Sequence, residues 1–285
     1  MSNFDLWQQI RSEVSNEAAG EPMLASFFHA TILNHDNLAA ALSFHLANTL
    51  NSATVPAMAI REVIEDAHTS NPSIIKSAQL DNIAFYDRDP ACDRYSTPFL
   101  FFKGFHAIQA YRVAHSLWGQ GRKPLALFFQ NRISEVFGVD IHPGAIIGSG
   151  ILLDHAHGFV VGETAVIEDD VSMLHSITLG GTGKEAGDRH PKIRKGVLIS
   201  AGAKILGNVE VGVGAKVGAG SVVLEDVPAH TTVVGVPAKP VGKPAEENPA
   251  LGMDHSIENE SIENESIENK SIENKSIENK SIEDD

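Results

Sequence analysis

An aliphatic residue or methionine returns at every sixth position through much of the C-terminal half of the chain. No other feature restricts the fold so tightly. The steps run Ile141, Ile147 and Leu153; after two extra residues, Val161, Ile167, Met173 and Leu179; after a longer interruption, Ile193, Ile199, Ile205, Val211, Val217 and Val223. Four residues after each step sits a second small or apolar residue, from Ala145 and Ile151 to Ser221 and Val227. His157 and Gly183 break that rule, each at an interruption. A six-residue repeat is the mark of a β-helix, in which each short strand turns a corner into the next. With one aliphatic per strand facing inward, the ladder predicts a packed tube over 139–227. Its two phase breaks are where residues are released for other work.

Upstream of Val139 the apolar spacing is helical. Phe4, Leu6, Trp7, Ile10 and Val14 set one amphipathic face. Asp36 or Asn37 is placed to cap a second helix, and a third starts near Pro56 and stops at Asn71-Pro72. Residues 81–96 are polar and aperiodic, which predicts a loop. Thr97-Pro98 then predicts the start of one long helix running to Gly119, followed by another ending at Gly138. The histidines on these apolar faces (His29, His45, His106, His115) are expected to pack rather than catalyse. Downstream, Pro237 and Pro240 suit a segment that closes the coil stack.

The chain carries a net charge of −15, and from Leu251 onward eleven acidic residues stand against three lysines. That tail repeats every five residues, SIEN followed by Glu or Lys. Isoleucine at that period makes no helical stripe, which predicts a solvated, disordered segment. The acidic balance excludes general nucleic-acid binding. No apolar run approaches a membrane span, and no secretory signal core opens the chain, so a cytoplasmic protein is expected. The single cysteine, Cys92, rules out an intrachain disulfide framework and has no base near it in sequence.

The densest His, Asp and Arg content outside the tail lies at the breaks and in the loop DRDPACD. His155 follows Asp154 at a corner beside the first break. Asp140 lies a little under one 18-residue coil earlier. Coils stack at about 4.8 Å, so Asp140 is expected beside His155, orienting the ring and leaving its other nitrogen as a base. His155 and His157, with His142, His175 or His190, are an alternative metal set; no metal is expected. Gly183, Ala201 and Ala219 lie 18 residues apart and are expected to stack as a small-residue groove. Lys184, Arg189, Lys192, Arg194, Lys195, Lys204 and Lys216 supply positive charge nearby for a phosphate-bearing ligand.

The segments DRDPACDRYSTPFL, KGFHAIQAYR, VDIHPGAIIGSGILLDHAHGFVVGETAVI, TLGGTG, GDRHPKI and GAKILGNVEVG together resemble bacterial serine O-acetyltransferases over about residues 3–243. The resemblance implies acetyl transfer from acetyl-CoA to the hydroxyl of L-serine, the first step of cysteine synthesis, in a ternary complex with no permanently bound cofactor. His155 is then the general base and Asp140 its orienting carboxylate. Asp89, Asp154, Arg189 and His190 hold the serine, with His190 coming from a neighbouring subunit. Gly181, Thr182, Gly183, Ala201, Lys216 and Ala219 face the cosubstrate, and Gly181 or Thr182 is a candidate oxyanion donor. The family is trimeric through the β-helix, pairs trimers through the helical domain, and is inhibited by L-cysteine at the serine site. The fold expected is α+β: an all-α domain (1–138), a left-handed parallel β-helix (139–243) and a disordered acidic tail (244–285).

Two departures stand out. DHAHG replaces the family's usual DHATG, placing His157 near the base. The last isoleucine, Ile282, is followed by Glu283-Asp284-Asp285, whereas members that bind O-acetylserine sulfhydrylase end in isoleucine, so that complex is not expected. Two other functions are compatible with the repeat alone: acetyl transfer to a sugar or xenobiotic hydroxyl, and a non-enzymatic scaffold.

Overall fold

The structure, a computed structural model, describes residues 4–183 and 186–257. The SIEN repeats from residue 258 onward, Ile282 among them, and Lys184 lie outside the described residues. Helices come first: α1 Leu6–Gly20, α2 Ala25–Phe28 running into a π-turn at His29–Leu33, α3 Leu38–Leu50, α4 Ala57–Ser70, α5 Ser73–Arg88, α6 Ser96–Phe101, α7 Lys103–Gly119 and α8 Lys123–Phe137. Capping follows ordinary chemistry. Asp5 accepts from the amides of Trp7 and Gln8, and Asn37, the second of the two expected residues, accepts from Ala40 N. Gly138 ends α8 in the left-handed conformation and hands the chain to the first strand.

The period-six ladder forms a three-faced parallel β-helix. The first face stacks Val139–Ile141, Phe159–Val161, Thr178–Gly180, Lys204–Leu206 and Val222–Val223. The second stacks Ile146–Ile147, Val166–Ile167, Lys192–Ile193 and Glu210–Val211. The third stacks Leu152–Leu153, Ser172–Met173, Leu198–Ile199, Lys216–Val217 and Thr232–Gly235, closed by the antiparallel strand Ala238–Gly242 that holds Pro240. Three edges join the faces. Edge I, third to first, comprises 154–158, 174–177, 200–203 and 218–221. Edge II, first to second, comprises 142–145, 162–165, 181–183 with 186–191, and 207–209. Edge III, second to third, comprises 148–151, 168–171, 194–197 and 212–215.

The core is denser than one inward residue per strand. Both ladder positions are buried: Ile141 and Ala145, Ile151 and Leu153, Ile199 and Ala203, Val211 and Ala215. The second member caps the corner from inside, which is why it is small. The phase breaks lengthen single coils without disturbing the stack. Leu152 pairs with Ser172, Ser172 with Leu198 and Leu198 with Lys216, offsets of 20, 26 and 18 residues.

Three expectations are corrected. Residues 81–88 belong to α5, not to a loop. Its buried face is Ile74, Ala78, Asp81, Asn82, Phe85 and Arg88, so a polar inner stripe hides the period. The long helix expected from Thr97 is broken at Phe102, whose extended backbone separates α6 from α7. The break sets the first turn of α7 hard against the β-helix: a Cβ on Gly104 would stand 1.9 Å from the carbonyl oxygen of Leu153. Gly104→Ala is therefore expected to push α7 off the third face and to lower the melting temperature measurably in a thermal scan. The tail expected from residue 244 is also corrected. Residues 244–257 lie on the β-helix through a short helix α9, Pro249–Gly252, with Ala250 buried and its carbonyl accepting from Ser172 Oγ at 2.7 Å.

One clamp locks the two domains together. Arg112 on α7 donates to Asp81 on α5 at 2.7 Å and to Gly148 O at 2.7 Å. Asp81 also accepts from Ile151 N at 2.9 Å and from Gln109 at 2.9 Å. Both ionic side chains are buried, at 7% and 1% exposure.

His29, expected to pack, is exposed; His45 and His106 pack inside the helical domain as expected, and His68 packs there too. Burial lowers all three pKa values, to about 3, about 4 and about 4. The unfolded chain binds these protons near pH 6.5 while the folded chain does not. Stability is thus full above pH 6.5 and falls as the pH drops below it, by about 1.4 kcal/mol per pH unit per histidine. Urea midpoints at pH 7.5 and 5.0 should show the drop, and His45→Asn should flatten it.

Candidate active site

Edge I positions the chemistry. The corner after Leu153 is drawn tight by Ala156 N donating to Asp154 O at 2.6 Å and His157 N to His155 O at 2.7 Å. His155 and Ala156 are both held at positive φ, 57° and 60°, a strained pair of non-glycine residues of the kind the surrounding structure must enforce. The corner turns the His155 side chain outward, 70% exposed, with Nε2 3.3 Å from Asp154 Oδ2.

A cleft of about 720 Å³ opens between this corner and the helical domain, lined by Asp89, Lys103, Gly104, Asp154, His155, His157, His175 and the rings of Phe85, Phe101 and Phe102. Asp89 caps the C-terminus of α5 and is fixed by the amide of Ala91, 2.9 Å from its Oδ1. Three of the expected site residues, Asp89, Asp154 and His155, are thus brought together from two domains. Lys103 and His175 were not singled out for this site. The 20-residue coil places His175 directly above His155, and their rings meet edge to face at 5.8 Å.

Asp140 is not brought to His155. It stands on the first face, opposite Val160, and accepts from Gln130 at 2.7 Å. The reason is the coil length. The coil between these first-face strands is 20 residues long, so Asp140 aligns with Val160, five residues beyond His155.

Arg189 and His190 lie on edge II. Arg189 pairs with Glu163 at 2.8 Å, and His190 Nδ1 meets Thr164 Oγ1 at 2.9 Å. Burial and the neighbouring Arg189 charge hold His190 below the usual imidazole range, so it is neutral near pH 7. Gly181 sits against the same two residues: a Cβ there would be 3.4 Å from His190 Nε2. Thr182 and Gly183 follow on edge II. The expected row Gly183, Ala201, Ala219 is therefore corrected. The 26-residue coil aligns Ala201 with His175, so edge I stacks His155, His175, Ala201 and Ala219, and Gly183 belongs elsewhere.

The basic cluster is also less available than its sequence suggests. Arg189, Lys192, Arg194 and Lys195 pair with Glu163, Asp188, Glu168 and Asp170. Lys204 donates to Ser176 O, and Lys216 lies buried on the third face, donating to Ser256 O. Cys92 is buried, which pushes its thiol up to about 11 and leaves it no nucleophile. Among the described residues no cluster of three or more His, Cys, Asp or Glu could hold a metal ion, and no helix is long and apolar enough to cross a membrane.

A rigid β-helix edge with an exposed imidazole, carboxylates beside it and small residues leading away belongs to the hexapeptide-repeat acyltransferases. Comparison narrows the class. The family described as serine acetyltransferase, N-terminal, matches residues 6–110. The serine acetyltransferase of Escherichia coli K12 is 63% identical over 249 residues, 87% of this chain and 91% of that protein. A solved serine acetyltransferase in complex with cysteine superposes with a TM-score of 0.88 at 59% identity, covering 89% of this chain and 99% of that one. The Brucella abortus serine acetyltransferase in complex with coenzyme A gives 0.83 at 51% identity, covering 84% and 96%. The chain belongs to the serine acetyltransferase family.

Proposed function

We propose that the edge I cleft is the acceptor half of a serine acetyltransferase site, completed by edge II of a neighbouring copy. The enzyme transfers the acetyl group of acetyl-CoA to the hydroxyl of L-serine, giving O-acetyl-L-serine and CoA. The observation that carries the assignment of the acceptor half is the convergence of Asp89, Asp154 and His155 on one cleft. Two carboxylates suit the ammonium group of an amino acid. His155 takes the hydroxyl proton as the oxygen attacks the thioester carbon, since an alcohol is a poor nucleophile until a positioned base does so.

The acceptor carboxylate needs a cation. Arg189 and His190 lie on edge II of the same chain, while the base lies on edge I. A threefold assembly of parallel β-helices sets edge II of one copy against edge I of the next, bringing Arg189, His190, Gly181, Thr182 and Gly183 to the cleft. Exposed Met23, Leu24 and Met58 give the helical domain an apolar surface for pairing such trimers. The cosubstrate arm runs along Ala201 and Ala219; the relative holding coenzyme A supports that ligand, and Lys216 serves only once Ser256 is displaced. L-cysteine, with the same ammonium and carboxylate groups, competes at the acceptor site, as the cysteine-bound relative supports. The enzyme works in the cytoplasm, where acetyl-CoA and serine are at hand.

Subunit mixing tests the shared site. His155→Ala and Arg189→Ala proteins, each inactive, should recover about a quarter of full activity when co-refolded at equal amounts, because one interface in four then holds both intact halves. No recovery would place both halves of the site in one chain.

A further inference from the structure

A second cleft, of about 750 Å³, lies between α5 and edge III; it is about as large as the acceptor cleft and has no part in the reaction. Ser77, Leu80, Ala84 and Arg88 follow one another along α5 at steps of three and four residues, so a single face of the helix forms one wall. Ser149 and Gly150 of edge III form another, and Leu251 of α9 adds a third side. Ser77 Oγ meets Ser149 Oγ at 2.8 Å across the gap. Leu80 and Leu251 stay exposed, at 42% and 48%, and leave apolar surface open in the cleft.

Arg88 forms the floor. Its side chain is only 6% exposed. Nη1 donates to Ser172 Oγ at 3.2 Å and Nη2 to Asp170 Oδ1 at 3.4 Å. The second contact is long beside the roughly 2.7–2.9 Å of a well-made guanidinium–carboxylate bond. Asp170 is also shared, its other oxygen 3.3 Å from Lys195 Nζ. Burial outweighs the nearby carboxylates and draws the Arg88 pKa below its ordinary value. The cleft therefore ends on a buried cation whose planar fork is loosely engaged, and that fork matches a carboxylate. Asp87, Asp169 and Asp170 line the same cleft. Their charge disfavours a doubly charged phosphate and leaves room for one negative charge at Arg88. The apolar wall suits a short hydrocarbon chain beside that charge.

We propose that this cleft binds a small aliphatic monocarboxylate, its carboxylate on Arg88 and its chain against Leu80, Ile83 and Leu251, and that occupancy weakens the hold on the acceptor. The last turn of α5 is the partition between the two clefts. Phe85 and Asp89 face the acceptor cleft, while Ala84, Asp87 and Arg88 face this one. Asp89 N donates to Phe85 O at 3.0 Å, which ties the turn together. A ligand that draws Arg88 toward edge III draws Asp89 away from the ammonium group it holds. This effect on serine rests on the serine acetyltransferase reading; the binding itself does not.

Calorimetry with two probes, L-leucine and 4-methyl-2-oxopentanoate, separates an amino acid from an oxo acid as the source of the carboxylate. Saturable binding of one or both is expected. Leu80→Asp places a negative charge on the exposed apolar wall. It should weaken binding roughly tenfold or more and leave serine turnover without probe unchanged. Arg88→Lys keeps the charge but loses the fork, and should weaken binding as well; if that variant does not fold, the Leu80→Asp comparison decides alone. In kinetics with acetyl-CoA, the bound probe should raise the KM for L-serine about fivefold to a plateau, with little change in kcat. No binding of either probe, or binding that Leu80→Asp leaves intact, overturns the proposal. So does a KM that climbs without limit as probe is added, which places the probe in the acceptor cleft. Absence of any serine turnover removes the serine reading and leaves the calorimetric test of this cleft standing.

Discussion

His155→Ala should lower kcat for L-serine acetylation by roughly 10²–10⁴, with much smaller changes in the KM values for serine and acetyl-CoA. The prediction follows from exposure. His155 projects from a strained corner into the cleft, with Asp154 as its ionic partner. Steady-state kinetics by thiol release would check it, and a rate near that of the unsubstituted enzyme would remove His155 as the base. Asp140→Asn should cost far less than His155→Ala, because Asp140 is held by Gln130 and does not touch the ring.

The second large effect lies in the clamp. Asp81→Ala should destabilise the fold by about 3–5 kcal/mol, since it leaves the Arg112 charge buried without its partner. The same change orphans the amide of Ile151 and the side chain of Gln109. Replacing both ionic residues together, as Asp81→Leu with Arg112→Met, should recover much of that loss, because no buried charge is then left unpaired. Urea unfolding of the three proteins checks the prediction. The clamp also reaches the site. Asp81 and Asp89 lie two turns apart on α5 and its cap, so loosening one should raise the KM for serine through the other.

The sequence shows the frame of this enzyme more plainly than its corners. A six-residue period is visible because each strand repeats the same burial problem, and the change of period at Val139 marks the domain junction at Gly138. Helix α5 is hidden for the opposite reason. Its inner face is Asp81, Asn82 and Arg88, residues whose burial makes sense only once Arg112 and the β-helix corner are seen beside them. Edge neighbours are legible only when coil lengths are counted through the interruptions. An 18-residue rule leads to Gly183 and Asp140, whereas offsets of 20 and 26 lead to His175. The charge of Lys192, Arg194 and Lys195 reads as a phosphate patch in sequence and is spent on Asp188, Glu168 and Asp170 in the fold. Residues 244–257 read as tail by composition, yet the buried Ala250 and its bond to Ser172 anchor them. Serine as acceptor came from the long motifs, not from the period; the period alone fits any β-helix acyltransferase.

Thiol release from acetyl-CoA, followed with L-serine, D-serine, homoserine and galactosides as acceptors, tests the central claim most directly. The account predicts rapid turnover with L-serine and little with the sugars, whose hydroxyls bring no ammonium group for Asp89 and Asp154. Turnover with a galactoside and none with L-serine would contradict it.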